Sequence, residues 1–282
     1  MYKIDIVRIE TPVVRDRSFL TYKKGKGIHM LPELFKIGPV TIYSYGLMIA
    51  IGVIVALYLG EHEAKKSGLA EDGFITTMGV IAVAGGFLGA KILYLITILP
   101  ELIKNPSIIL HELSNGFVVY GGLIGGILTA YVYCRIKKVD FWAAFDIAAP
   151  MIALAQGFGR IGCFLAGCCY GKHTDSIFGV EFENSLYAPV GIKVFPIQLV
   201  SSGLDFLNFV FLYYLWKKKD MKRGTIGAVY IMTYSIGRFV LEFFRGDLER
   251  GSVGSLSTSQ FISIFTLVAG VVLFFYRRKK DE

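Results

Sequence analysis

Apolar residues run along this chain in blocks of about 20, the length a helix needs to cross a ~30 Å hydrocarbon core. Seven blocks stand out, at residues 41–60, 74–98, 117–136, 141–165, 194–216, 225–244 and 256–276. Each is rich in Ile, Leu, Val, Phe and Gly, and polar connectors separate them. They are about twice as long as barrel strands and lack strict alternation, so helices are predicted. The pattern is that of an all-α integral membrane protein with seven transmembrane helices. No internal repeat or separate soluble domain interrupts it. The longest connector, residues 171–193, is the place for a small extramembrane element.

Composition narrows the class further. With 54% hydrophobic residues and a mean hydropathy of +0.56, an ordinary soluble domain and a disordered chain are both excluded. Four cysteines in 282 residues make no disulfide scaffold. The net charge of +8 points to basic cytoplasmic loops rather than to nucleic acid.

Those charges orient the chain. One set of connectors carries Lys65, Lys66, Arg135, Lys137, Lys138, Lys217, Lys218, Lys219, Lys222 and Arg223, and the tail on the same side adds Arg277, Arg278, Lys279 and Lys280. The opposite connectors hold only Lys104, Lys172, Lys193, Arg245 and Arg250. The C-terminus is therefore expected in the cytoplasm and the N-terminus outside. The first 40 residues disagree, with eight basic residues on the predicted outer side, seven of them before Met30. Residues 1–29 are accordingly read as an N-terminal extension outside the fold, and 30–282 as the membrane domain. No apolar run of signal-peptide type precedes Met30.

Three cations, Lys91, Arg160 and Arg238, and three acids, Asp146, Asp205 and Glu242, remain at membrane depth. A charge near the bilayer centre costs at least ~2.5–3.5 kcal/mol, so such residues face protein or a water-filled cavity. Arg238 and Glu242 are i,i+4 neighbours and suit an internal pair, while Lys91 is long enough to snorkel. With the N-terminus outside, Lys91, Arg160, Arg238, Tyr45 and Tyr120 all fall near the outer leaflet. Two guanidiniums at that level suit a phosphate, which Arg binds through two parallel charged hydrogen bonds. The phosphate found there is a phospholipid headgroup. Glycines crowd several spans, and around Arg160 (Gly157, Gly159, Gly162, Gly167) they exceed what close helix packing asks for.

Residues 159–171, GRIGCFLAGCCYG, resemble the prolipoprotein diacylglyceryl transferase signature G-R-x-G-N-F-x-N-G-E-x-x-G. The likeness covers most of residues 30–280. It takes in Tyr45-Gly46-Leu47-Met48, the run from Tyr120-Gly121-Gly122 to Gly125, Thr174-Asp175 ahead of Gly179-Val180, and Pro196 with Gln198-Leu199. It continues through Tyr234 with Arg238-Phe239 and Glu242, then Leu256-Ser257 with Gln260. The resemblance implies seven helices and transfer of the diacylglyceryl group of phosphatidylglycerol to the lipobox cysteine of a preprolipoprotein, releasing glycerol phosphate. It implies no cofactor and no metal, a monomer in the bacterial cytoplasmic membrane, and an active site toward the outer leaflet. Arg160, Arg238 and Tyr120 fall at catalytic positions. Arg160, Arg238, Tyr45, Tyr234, Glu242 and Gly171 fall at substrate-binding ones, with Glu242 orienting Arg238.

Several positions depart from the family pattern. Tyr120 stands where His is usual before Gly-Gly, Cys163 where Asn is, and Cys168 where Glu is. Lys91 replaces a common Arg, and Val200-Ser201 a common Tyr-Glu. A tyrosine with a pKa near ~10 is a weak base at neutral pH, so either an arginine-rich field lowers the acceptor thiol's pKa or the chemistry differs. Cys134 is read as an ordinary small apolar residue. For Cys163, Cys168 and Cys169 the readings are small residues allowing a bent backbone, a disulfide outside the cytoplasm, or a zinc site with His173 as fourth ligand. No paired C-x-x-C supports zinc, so no metal is expected. His29, His62 and His111 carry no motif. Rival functions are a paralogue acting on another lipid donor or acceptor, a membrane thiol–disulfide protein, and a lipid or anion transporter. The thiol rival leaves the arginines idle, and the transporter predicts a repeat symmetry that is absent from the sequence.

Overall fold

The structure is a computed structural model and describes residues 28–29, 31–38, 40–112, 116–183, 185, 187–218, 221–247 and 251–280. Residues 1–27, most of the expected extension, lie outside the described residues. Among the described residues, six helices are long and apolar enough to cross a membrane. They are α1 (Ser44–Ser67), α2 (Phe74–Thr97), then, after the short α3 (Leu99–Lys104) and α4 (Ile109–Glu112), α5 (Val119–Ile136) and α6 (Phe141–Ala166), followed by α7 (Ile197–Lys217) and α9 (Thr258–Lys280). The sixth apolar block forms α8 (Thr225–Glu242), helical as expected but outside that set. Thr233, Tyr234, Ser235, Arg238 and Glu242 make it more polar than the others. It tolerates them because much of it is buried in protein, including Thr225–Ala228, Tyr230 and Ser235.

The first span starts later than expected and runs on further. Residues 41–43 belong to a hairpin, β2 (Glu33–Ile37) against β3 (Val40–Tyr43), and α1 begins at Ser44. Its last two turns continue past the apolar block to Ser67. Ahead of the hairpin, β1 (Ile28–His29) pairs in parallel with β4 (Val180–Glu183), which pairs antiparallel with β5 (Lys193–Val194). β4 and the start of β5 fall in the connector where a small extramembrane element was expected. Phe182, Ala188 and Val194 form its core, packed against Phe164 and Tyr170 at the end of α6.

The chain divides into two compact units; among the described residues the first holds Gly60–Ala144 and the second the remainder. In the first, α2 and α5 meet along a glycine seam. A Cβ on Gly89 would overlap the Gly121 carbonyl oxygen, and one on Gly125 would overlap that of Gly85. Small residues every fourth position thus let two backbones touch, the usual way membrane helices pack closely. Lys91 is occupied here: its Nζ donates to the carbonyls of Glu112 (2.9 Å) and Gly116 (3.0 Å) and stacks 4.3 Å over the Phe117 ring. Glu61 caps α2, accepting from the Gly73 and Thr76 amides at 2.6 and 2.9 Å.

In the second unit Ala149 and Ala153 of α6, Leu212 of α7, and Ile226 and Tyr230 of α8 share one core. Asp146, expected to be a charge in search of a partner, is a helix cap. Its carboxylate accepts from the Gly224 amide at 2.6 Å and the Gly227 amide at 2.8 Å, on the positive end of α8. At the C-terminal end of α9, Arg277 Nε donates to the Arg223 carbonyl at 2.7 Å, tying α9 to the turn before α8.

Candidate functional site: a cavity lined by three arginines

The end of α6 is shaped by backbone rules. Gly167 takes a left-handed φ of 71°, the Cys168 amide donates back to the Cys163 carbonyl at 3.0 Å, and the Gly167 amide to that of Phe164 at 3.0 Å. This is a Schellman C-cap, which brings the side chains at its two ends, Cys163 and Cys168, side by side. Cys169 follows with φ 56°, a conformation a non-glycine residue rarely holds. Two side chains clamp the turn: Ser185 donates to the Gly167 carbonyl (3.1 Å) and Gln198 to that of Cys168 (2.8 Å). The three sulfurs of Cys163, Cys168 and Cys169 all lie within 4.8 Å of one another, and no disulfide joins them. Hydrogen bonds from Cys163 and Cys168 hold the Cys169 thiol well below its ordinary range against the cost of burial, helped by the Arg245 guanidinium beside it.

Next to this turn, α6, α7 and α8 enclose a cavity of about 300 Å³. Arg160, Arg238 and Arg245 all line it, with Asp205 and Asn208 from α7 and Tyr234 from α8. Arg238 is held from two sides: Nη1 pairs with Glu242 Oε2 at 2.7 Å, and Nη2 donates to Ser259 Oγ at 2.7 Å. The pair expected between Arg238 and Glu242 is thus present, and the Glu242 side chain is 7% exposed.

Arg245 is the residue that sequence reasoning missed, since a positive charge just beyond an apolar block counts as a solvated loop charge. It is 8% exposed, and its Nε and Nη2 fork onto Asp247 at 2.9 and 2.8 Å. Gly171 explains how it gets there. The Gly171 amide donates to the Phe195 carbonyl (3.1 Å), Lys172 to that of Phe244 (2.9 Å), and Gly246 to that of Tyr170 (3.0 Å). A Cβ on Gly171 would overlap the Phe195 carbonyl oxygen, and one on Gly246 that of Gly171. Gly171 therefore lines no part of the cavity; it lets the chain pass close enough to carry Arg245 inward.

The other expected site residues are distributed as follows. Tyr234 lines the cavity and stacks on Tyr230 with ring centroids 6.0 Å apart. Tyr45 opens α1 against Gly162, whose absent Cβ would sit 3.2 Å from the Tyr45 Cα. Tyr120 belongs to the first unit, on the exposed side of the first turn of α5. Asp205 shares a face of α7 with Ser201, one turn away. His173 turns to solvent beside Asp175 at 3.8 Å and takes no part in the sulfur cluster.

Known proteins carry the same pattern. The family model described as prolipoprotein diacylglyceryl transferase matches residues 32–276. The phosphatidylglycerol–prolipoprotein diacylglyceryl transferase of Clostridium tetani is 48% identical over 246 residues, covering 87% of this chain and 97% of its own. The chain belongs to the prolipoprotein diacylglyceryl transferase family. Transferase 2 of Clostridium perfringens is 44% identical (90% of this chain, 96% of its own), and the Lysinibacillus sphaericus transferase 35% (88% and 93%). Within this family, the chain sets its signature arginine, Arg160, in one cavity with two more arginines. At the signature's altered positions, 163 and 168, it sets a pair of thiols beside that cavity.

Proposed function

We propose that this protein transfers the diacylglyceryl group of phosphatidylglycerol to the lipobox cysteine thiol of preprolipoproteins and releases glycerol phosphate, the first step of bacterial lipoprotein maturation. The observation that carries the reading is the convergence of Arg160, Arg238 and Arg245 on one cavity in a helical membrane chain of this family. The thiol sulfur attacks the glyceryl carbon that bears the phosphate ester. The sulfur–carbon bond forms as the carbon–oxygen bond breaks, and the electron pair leaves on glycerol phosphate. Arg160 and Arg238 meet that developing charge with planar forks, that of Arg238 already held by Glu242 and Ser259, and Arg245 adds a third. Glu242 and Ser259 orient Arg238. Asp205, Asn208 and Tyr234 offer hydrogen bonds to the headgroup hydroxyls, and Tyr45 to the headgroup or the acceptor; Tyr120 keeps the role in the reaction that the resemblance implies. A cavity at the small end of ligand pockets fits a polar headgroup, leaving the acyl chains in the bilayer.

The membrane arrangement that goes with this reading has α8 as the seventh span. Its 18 residues reach about 27 Å, and the surrounding protein shelters its polar groups. The N-terminus is outside, the C-terminus cytoplasmic, the domain runs over 30–282, and the monomer works from the outer leaflet of the bacterial cytoplasmic membrane. Complementation of a transferase-depleted bacterium, with lipid labelling of a lipobox peptide, tests the function. Growth rescue with labelled peptide is expected; a membrane-inserted protein that labels nothing would refute it.

A further inference from the structure

The geometry points to Cys163, Cys168 and Cys169 as a three-thiolate site for a zinc-class cation, whose open fourth position takes the acceptor's thiol. This rests on the function proposed above and supplies what that function lacks, a group that turns the acceptor into a thiolate.

The sulfurs already stand near coordinating distance. Zinc–sulfur bonds of about 2.3 Å in a tetrahedron separate ligand sulfurs by about 3.8 Å. The three thiols, all within 4.8 Å of one another, need to close by at most about 1 Å. A Schellman cap accounts for contact between Cys163 and Cys168, and two apolar side chains would serve it equally. It does not account for Cys169, which holds a left-handed φ of 56° at a cost of about 1–2 kcal/mol. That conformation brings a third sulfur to the same point, and Ser185 and Gln198 clamp the turn that leads into it.

Coordination number and charge agree with a working site rather than a structural one. Among the described residues no fourth His, Cys, Asp or Glu joins the cluster, and the His173 side chain is 62% exposed. Three protein ligands with one position open is the arrangement of catalytic zinc, whereas structural zinc closes all four. Three thiolates around a dication leave one net negative charge, and Arg245, in hydrogen-bond contact with Cys169, offsets it. Arg245 also lines the phosphate cavity, so the bound thiolate and the leaving phosphate flank one guanidinium.

The chemistry balances. The acceptor thiol binds the cation and loses its proton to water, as thiols on a metal do. The metal-bound sulfur attacks the glyceryl carbon, the carbon–oxygen bond breaks, and the electron pair departs on glycerol phosphate. The thioether product carries no charge and is a poorer ligand, so it leaves and reopens the site; the cation keeps its oxidation state throughout.

The test uses the full-length protein, purified in detergent under a phosphine reductant and titrated with Co²⁺ as a spectroscopic stand-in. One Co²⁺ per chain is expected, with sulfur-to-cobalt charge-transfer bands that Zn²⁺ abolishes. Cys163→Ser, Cys168→Ser and Cys169→Ser should each lose these bands, and Cys134→Ser should keep them. A lipobox peptide should change the ligand-field bands; the same peptide with Ser for its cysteine should not. Chelator-stripped protein should transfer at least ~100-fold more slowly at neutral pH, the scale of a lost general base, and recover with Zn²⁺. Absence of thiolate bands, or equal transfer by stripped and loaded protein, overturns the metal site while leaving the transferase reading intact. Metal binding without transfer to any lipobox peptide under either condition refutes the transferase reading instead.

Discussion

Replacing Arg238 by Lys separates recognition of phosphate from simple charge pairing. The native guanidinium spends one nitrogen on Glu242 and another on Ser259, both at 2.7 Å, and lines the cavity with what remains of its five donors. Lysine keeps the ion pair but concentrates its donors on one atom, so it cannot hold Glu242, Ser259 and a phosphate oxygen at once. Loss of the Ser259 bond costs about 0.5–1.5 kcal/mol of stability. Losing one preorganised contact at the developing anion costs ~10²–10³ in rate, about 2.7–4 kcal/mol of transition-state stabilisation. Arg238→Lys should therefore be slightly less heat-stable and at least ~100-fold slower. Arg238→Ala leaves Glu242, 7% exposed, without its ion pair and should destabilise by about 3–5 kcal/mol. Arg160→Lys should repeat the kinetic result, because it keeps charge and loses the fork. Diacylglyceryl transfer to a lipobox peptide, measured beside thermal unfolding of each purified variant, reads both quantities. Near-normal transfer by both Lys variants would show that the arginines are structural ion pairs and sink the phosphate assignment.

Gly171→Ala should slow transfer through displacement of Arg245, because the new methyl overlaps the Phe195 carbonyl; an unchanged rate would break the link between that crossing and the site. Gly89→Ala pushes α2 off α5 and should cost about 1–3 kcal/mol in thermal or steric-trapping stability, and no loss would mean that the seam relaxes freely. Tyr120→Phe should lower the rate by removing one hydroxyl, and an unaltered rate would reduce Tyr120 to packing. The combined change Tyr120→His, Cys163→Asn and Cys168→Glu should restore transfer that chelators no longer inhibit; continued dependence on Zn²⁺ would contradict the thiolate site.

Element ends were legible wherever physics acts along one dimension. The apolar block at 74–98 became α2 (Phe74–Thr97), and that at 141–165 became α6 (Phe141–Ala166), within a residue at each end. The first block misled at both ends for different reasons. Its start is taken by a hairpin with no clean alternation, and the helix outlasts its apolar residues because the Glu, Ala and Lys residues that follow favour helix without being apolar. Apart from the Arg238–Glu242 pair, the partners of the charges were not legible. Asp146 proved to be a cap on α8, Lys91 a donor to two carbonyls, and Arg245 a buried cavity residue. Each depends on a contact between segments far apart in sequence, and for Arg245 on the Gly171–Gly246 crossing in particular. The cysteine spacing was visible, but its convergence required the left-handed turn at Gly167 and Cys169.

Three of the departures from the family pattern bear on one step of the proposed reaction, whereas Lys91 and Val200-Ser201 stand apart from it, Ser201 on the cavity wall. On the phosphate side, Arg160, Arg238 and Glu242 stand where the pattern has them, and Arg238 and Glu242 form the expected pair. In the proposed reaction the changes at 163 and 168 bear on the thiol, where a proton must be removed, and the resemblance gives position 120 a part in the same step. Without a group to take its proton, the acceptor stays a neutral thiol at neutral pH, a poor nucleophile. In the proposed site, Cys163 and Cys168 beside Cys169, in a clamped turn, offer another way to hold that sulfur as an anion. The substitutions at 163 and 168 then act as one change in the proposed site. An enzyme that kept its means of stabilising the leaving group could replace its means of activating the nucleophile, because Arg245 joins the two halves without making either depend on the other's chemistry.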